Sequence, residues 1–187
     1  IGNAAVSLMR AKDVVEATVD LLRQNPQALL CERRDCAACN LARRLQQDSR
    51  TPLVAVLNAG IGGNAVLRGG LGPTALERFD RDVLKQRGVR WLIVSEGVND
   101  LGGSLPDSAM STAAQLIDAY RRFIELAHAR GIRVYGATVL PFGGSFYDAP
   151  ERQEARGRIN EWVRRGGLFD AVIASSLLFG LAHSEQG

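Results

Sequence analysis

From residue 53 onward, short apolar runs alternate with stretches of helical period. Leu53-Val54-Ala55-Val56-Leu57, Trp91-Leu92-Ile93-Val94, Ile132-Arg133-Val134-Tyr135-Gly136-Ala137-Thr138-Val139 and Phe169-Asp170-Ala171-Val172-Ile173 predict four buried strands. Residues 73–86, 111–129 and 150–165 predict helices, stopped by Gly88, Gly131 and Gly166-Gly167. In the middle one, Leu116, Tyr120, Phe123, Ile124 and Ala127 fall on one face. Residues 105–107 are expected to be loop. Strands alternating with helices of this length predict right-handed βαβ units. The expected fold is a three-layer α/β/α sandwich with a parallel sheet, flavodoxin-like in type, in a single domain over residues 1–187.

Residues 1–50 join this pattern poorly. Residues 11–24 predict an amphipathic helix carrying Val14, Val15, Val19, Leu21 and Leu22, and residues 40–47 a second. Between them lies a polar stretch without periodicity. A doubly wound sheet calls for a further strand before residue 40, and the pattern supplies none.

Composition narrows the classes. The apolar fraction of 46% and the charged fraction of 23% are ordinary for a globular domain. No apolar run approaches the ~20 residues of a membrane-spanning helix. The first residues are not expected to be a signal peptide, because Arg10, Lys12 and Asp13 interrupt them. The chain opens on Ile rather than Met, so the expectation is an N-terminus processed, trimmed or incompletely sequenced, and both a secreted and a cytoplasmic location stay open. A formal charge of +3 hints at an anionic partner. Yet acids and bases alternate, as in Glu77-Arg78-Phe79-Asp80-Arg81-Asp82. With no basic block and no interleaved aromatics, a nucleic-acid partner is not expected.

The cysteines, Cys31, Cys36 and Cys39, are odd in number and clustered, against a disulfide scaffold. Cys36-Ala-Ala-Cys39 has the spacing of a zinc or redox pair. Tetrahedral zinc needs four ligands, however, and His128 and His183 are remote. Incidental thiols, and no metal site, are the expectation.

Two strand ends carry chemistry. In an open parallel sheet, ligands bind beyond the carboxyl ends of the strands. The first end is Asn58-Ala59-Gly60-Ile61-Gly62-Gly63-Asn64, where glycines permit a tight turn that aims N–H groups into a cleft. The second is Glu96-Gly97-Val98-Asn99-Asp100, where the Asn99 amide is able to donate to a developing oxyanion. Each alone also suits a plain glycine turn or an Asx turn.

Together, in this order and strand context, the motifs resemble one bacterial branch of the SGNH (GDSL-type) hydrolases. Ala137-Thr138-Val139-Leu140-Pro141-Phe142, the helix through Asn160-Glu161-Trp162-Val163-Arg164, and Phe169-Asp170-Ala171-Val172-Ile173 add to the likeness, which covers residues 41–173 and leaves 1–40 and 174–187 atypical. The resemblance implies acyl transfer through a serine ester, with neither metal nor organic cofactor. It places the oxyanion donors at Gly63 and Asn99, with Asn64, Pro141 and Phe142 bordering the acyl pocket. The implied ligand is a small-molecule ester or an acylated carbohydrate.

The family's nucleophile sits in a Gly-Asp-Ser loop after the first strand, and its base in a late Asp-x-x-His segment. Neither motif occurs in these residues. Ser7 and Ser49 are the only serines before Asn58, and neither is expected to follow a buried strand. His183 has no Asp three residues before it, and His128 suits the carboxyl end of a helix through the dipole. The expectation is that both ends are replaced or truncated relative to an active relative, as frameshifts near Asn40 and after Ile173 would produce. The expectation is an ester hydrolase, incomplete or weakly active as written. The alternative is a non-catalytic ester- or carbohydrate-binding module on the same fold. A nucleotide-binding domain is disfavoured, because Gly-x-x-x-x-Gly-Lys is missing.

Overall fold

The computed structural model describes residues 4–10, 37–49 and 54–175. Five strands form one sheet in the spatial order β2-β1-β3-β4-β5. They are β1 (Ala4–Arg10), β2 (Val54–Asn58), β3 (Val89–Ser95), β4 (Arg133–Ala137) and β5 (Ala171–Ile173). The helices are α1 (Ala37–Gln47), α2 (Ala75–Phe79), α3 (Val98–Gly103), α4 (Ala109–His128) and α5 (Pro150–Arg165). A π-helical turn, Asp80–Leu84, continues α2, and a 3-10 turn, Pro106–Ser108, leads into α4.

The four strands expected from the pattern are present and share one direction, but only β3 and β4 are buried as expected: β2 is half-buried along its length and β5, at the end of the strand order, is largely exposed. β3 pairs parallel with β4, and β4 with β5. β1 is antiparallel to both β2 and β3, so β2 runs with β3 across it. The strand expected before residue 40 but not found in the pattern is therefore β1, and it is reversed. Its run Ala4-Ala5-Val6-Ser7-Leu8-Met9 is short and half alanine and serine, and periodicity alone does not decide the conformation of such a run. The helix expected over residues 11–24 lies outside the described residues.

Most of the apolar core lies on one face of the sheet. There Leu92 and Val94 of β3 and Val134 of β4 meet Phe79 and Val83, the α4 face, and Ala155, Ile159 and Val163 of α5. All five residues assigned to the α4 face, Leu116, Tyr120, Phe123, Ile124 and Ala127, are buried. The Phe79 and Phe123 rings stack at 4.4 Å. The opposite face, carrying Val54, Val56, Trp91, Ile93, Tyr135 and Ile173, packs on α1 through Ala38, Leu41 and Leu45. The layering is thus helix, sheet, helix, as the alternation of elements requires.

Local signals set the helix ends. Thr74 caps α2 in a reciprocal box with Glu77. Pro150 opens α5, and α4 is followed by Gly131 at φ 69°. Among the described residues, no helix is long and apolar enough to cross a membrane.

Candidate functional site

The loop after β2 is built by its own hydrogen bonds. Asn58 Oδ1 accepts from the Gly60 N–H at 3.0 Å, and the Asn64 N–H donates to the Ile61 carbonyl at 3.1 Å. Gly63, at φ 74°, turns the chain back, and its carbonyl accepts from the Leu71 N–H at 3.1 Å. The Gly63 N–H takes no acceptor among the described residues.

The loop after β3 turns at Gly97, where two requirements coincide. Its φ is 101°, and an added Cβ would lie 2.6 Å from the Tyr120 hydroxyl. Tyr120 uses that approach to donate to the Glu96 carbonyl at 2.9 Å. Val98 already begins α3. The first turn of that helix carries Asn99 and Asp100.

These two residues join the loops. Asn99 Nδ2 donates to the Asn64 carbonyl at 2.8 Å, next to Gly63. An amide nitrogen carries two hydrogens, so one N–H remains for a ligand. Asp100 accepts the Val66 and Leu67 N–H groups at 2.9–3.1 Å. Burial raises the Asp100 pKa above its ordinary value, and the Val66 and Leu67 N–H groups partly offset this. Burial, and then the charges of Asp100 and Glu96, push the Tyr120 hydroxyl well up, which keeps it a neutral donor.

Asn64 is fully buried. Its Nδ2 donates to the carbonyls of Leu71 and Pro73 at 2.7 and 2.8 Å, and its Oδ1 accepts from Arg78 Nε and Nη2. The side chain thus braces the 64–73 loop from inside. Phe142 also points inward, edge-on to Tyr147 with ring centroids 6.5 Å apart and 5.8 Å from the Arg156 guanidinium carbon, while Pro141 is exposed. The segment between β4 and Phe142 is pinned by Asn160, whose amide accepts from the Val139 N–H at 2.6 Å and donates to its carbonyl at 3.2 Å.

Arg78 was hidden in the alternating charge run. It is 4% exposed. It reaches the Ala59 carbonyl at 2.6 Å, the Asn64 amide, and Asp82 Oδ2 at 3.0 Å, and stands 3.7 Å from Glu96 Oε1. The overlooked signal is the Arg78/Asp82 spacing of four on the face that also carries Ala75 and Phe79. Alternation of sign along the sequence says nothing about which helical face each charge occupies.

The serine and histidine candidates lie elsewhere. Ser7 sits within β1, in register with Leu57 and Leu92. Ser49 is exposed beyond α1, before the amino end of β2. His128 Nε2 is 2.8 Å from Asp170 Oδ2, and that same oxygen accepts the Val134 N–H at 2.7 Å. Val134 is near the start of β4 and Asp170 precedes β5, so this His–Asp pair occupies the amino ends of the strands. Gly63 and Asn99 lie past the carboxyl ends, across the full height of the sheet. His183, Cys31 and Cys36 lie outside the described residues, and Cys39 falls in the first turn of α1. No group of three or more His, Cys, Asp or Glu able to hold a metal occurs among the described residues.

A comparison against curated proteins finds none that matches. The model of a GDSL-like lipase/acylhydrolase family matches residues 14–180 and spans both glycine-bearing loops. The chain therefore belongs to the GDSL-like lipase/acylhydrolase family, the SGNH hydrolases that the motifs at Gly63 and Asn99 resemble.

Proposed function

We propose that the chain is an ester hydrolase domain whose oxyanion side is built from the Gly63 N–H and the Asn99 amide, and that it turns over weakly as it stands. The observation that carries this reading is the Asn99–Asn64 hydrogen bond, which sets the amide beside Gly63. Donors fixed in this way stabilise charge that develops on a carbonyl oxygen without reorganising during the reaction. The substrate would be a small ester or an acylated carbohydrate, with Pro141 and Leu71 on the open rim and Asn64 and Phe142 supporting the walls from behind. No cofactor enters this chemistry.

The test is hydrolysis of a short-chain p-nitrophenyl ester by the folded protein, with and without a serine-reactive phosphonate. Phosphonate-sensitive turnover that falls by about 10²–10³ in Asn99→Ala fits the reading. Turnover unchanged by that substitution refutes it.

A second reading, a binding module without turnover, is favoured by β1. In the family the nucleophile follows the first strand. Here Arg10 pairs with Val54, so the chain leaves β1 at the end of the sheet opposite Gly63 and Asn99. Ester binding at Gly63 and Asn99 without turnover would select this reading.

A further inference from the structure

Tyr147 holds the far side of the Asn99 amide. Its hydroxyl donates to Asn99 Oδ1 at 3.2 Å, while Asn99 Nδ2 donates to the Asn64 carbonyl at 2.8 Å. A side-chain amide held at one end still rotates about its terminal torsion, whereas one held at both ends has a single orientation. That orientation decides where the remaining N–H of Nδ2 points. We propose that Tyr147 is the positioning residue that aims the Asn99 amide at the ligand oxygen. The proposal rests on the reading of Gly63 and Asn99 as oxyanion donors.

The surroundings are arranged for this ring. A Cβ on Gly102 would lie 2.4 Å from three atoms of the Tyr147 ring, so α3 presents bare backbone where the ring lies down. Phe146 packs on its neighbour with centroids 4.3 Å apart. Arg152 fastens the backbone, donating to the Tyr147 carbonyl at 3.2 Å through Nη1 and to the Ser104 carbonyl at 3.1 Å through Nε. The loop is closed on itself as well. Ser145 Oγ accepts the Tyr147 N–H at 3.2 Å and donates to the Phe142 carbonyl at 2.6 Å. Asp148 accepts the Gly144 N–H at 2.7 Å. A loop fastened to α3, α5 and itself places one hydroxyl on one amide. The glycine of the Asn99-Asp100-Leu101-Gly102 run thereby gains a reason.

The experiment compares the full chain with Tyr147→Phe, which keeps the ring in its seat and removes only the hydroxyl. The readouts are the Asn99 side-chain amide resonances and the affinity for butyrate, a carboxylate probe for oxyanion donors. The expected result is displaced Asn99 amide resonances and a butyrate affinity weaker by about threefold to tenfold, the range of one hydrogen bond. Gly102→Ala, which evicts the ring, is expected to displace the same resonances. Unchanged Asn99 resonances in Tyr147→Phe overturn the positioning role. If butyrate perturbs neither Gly63 nor Asn99 in the unsubstituted protein, the oxyanion reading fails, and the amide resonances still decide the role of Tyr147.

Discussion

The Asp100 carboxylate receives the backbone N–H of Val66, a residue 34 positions earlier, with both oxygens within 3.1 Å. Two strand-end loops are thereby held together through the backbone of one and a side chain of the other. Asn99 adds a second tie beside the first. The shape of the cleft is set by these two ties, because loops rich in glycine have little intrinsic preference of their own.

Asp100→Ala leaves the Val66 and Leu67 N–H groups buried without an acceptor. The expected cost is about 2–4 kcal/mol, since each stranded donor loses on the order of 1–3 kcal/mol. Urea unfolding measures it, and a loss below about 0.5 kcal/mol would show the clamp to be dispensable.

The same carboxylate gives a pH dependence of defined sign. Burial lifts its folded pKa above the ordinary 3.8 of the unfolded chain, so the folded state binds more protons in the window above 3.8. Its contribution is complete below that value and is lost as pH rises through the raised pKa. Relative to Asp100→Asn, the unsubstituted protein is expected to lose stability on going upward from pH 3.8. Paired denaturation curves across that range test it, and a difference that grows in the opposite direction contradicts the assignment.

Arg78→Leu removes the partner of Asn64, Ala59 and Asp82 at once. Breaking a buried ion pair from one side costs about 3–5 kcal/mol, and here two neutral acceptors are stranded as well. Arg78→Lys is expected to recover less than half of the loss, because an ammonium does not reproduce the fork on Asn64 Oδ1. Thermal and chemical denaturation of the two variants provide the comparison.

His128→Gln should leave the cleft untouched. The pair with Asp170 is partly exposed and lies at the amino ends of the strands, so its loss is expected to cost at most about 1 kcal/mol. Ester hydrolysis and butyrate affinity are expected to stay within about twofold of the unsubstituted values, a margin below the effect of one hydrogen bond. A collapse of activity would make His128 a base after all.

Four strands, the long helices α4 and α5, and the positions of Gly63 and Asn99 were legible in the sequence. Each rests on a local cause: a short run of apolar residues, a 3.6-residue period, a proline that starts a helix, a glycine that ends one. The loops that carry Gly63 and Asn99 were legible for the same reason, since each begins where a recognisable strand ends; the role proposed for the two residues comes from the family resemblance. What the sequence left undecided depends on contacts between distant segments. The reversal of β1 is one case, because an apolar run carries no direction and only pairing with β2 and β3 gives it one. Arg78 is another: its burial depends on a niche formed by Ala59, Asn64 and Glu96, which no window around residue 78 contains. Tyr147 lies 48 positions from the amide it holds, and only folding brings its hydroxyl there. The histidine beside an aspartate shows the converse. The pair has the chemistry of a base and its orienter, and its place at the amino end of the sheet, fixed by tertiary structure alone, keeps it out of the site.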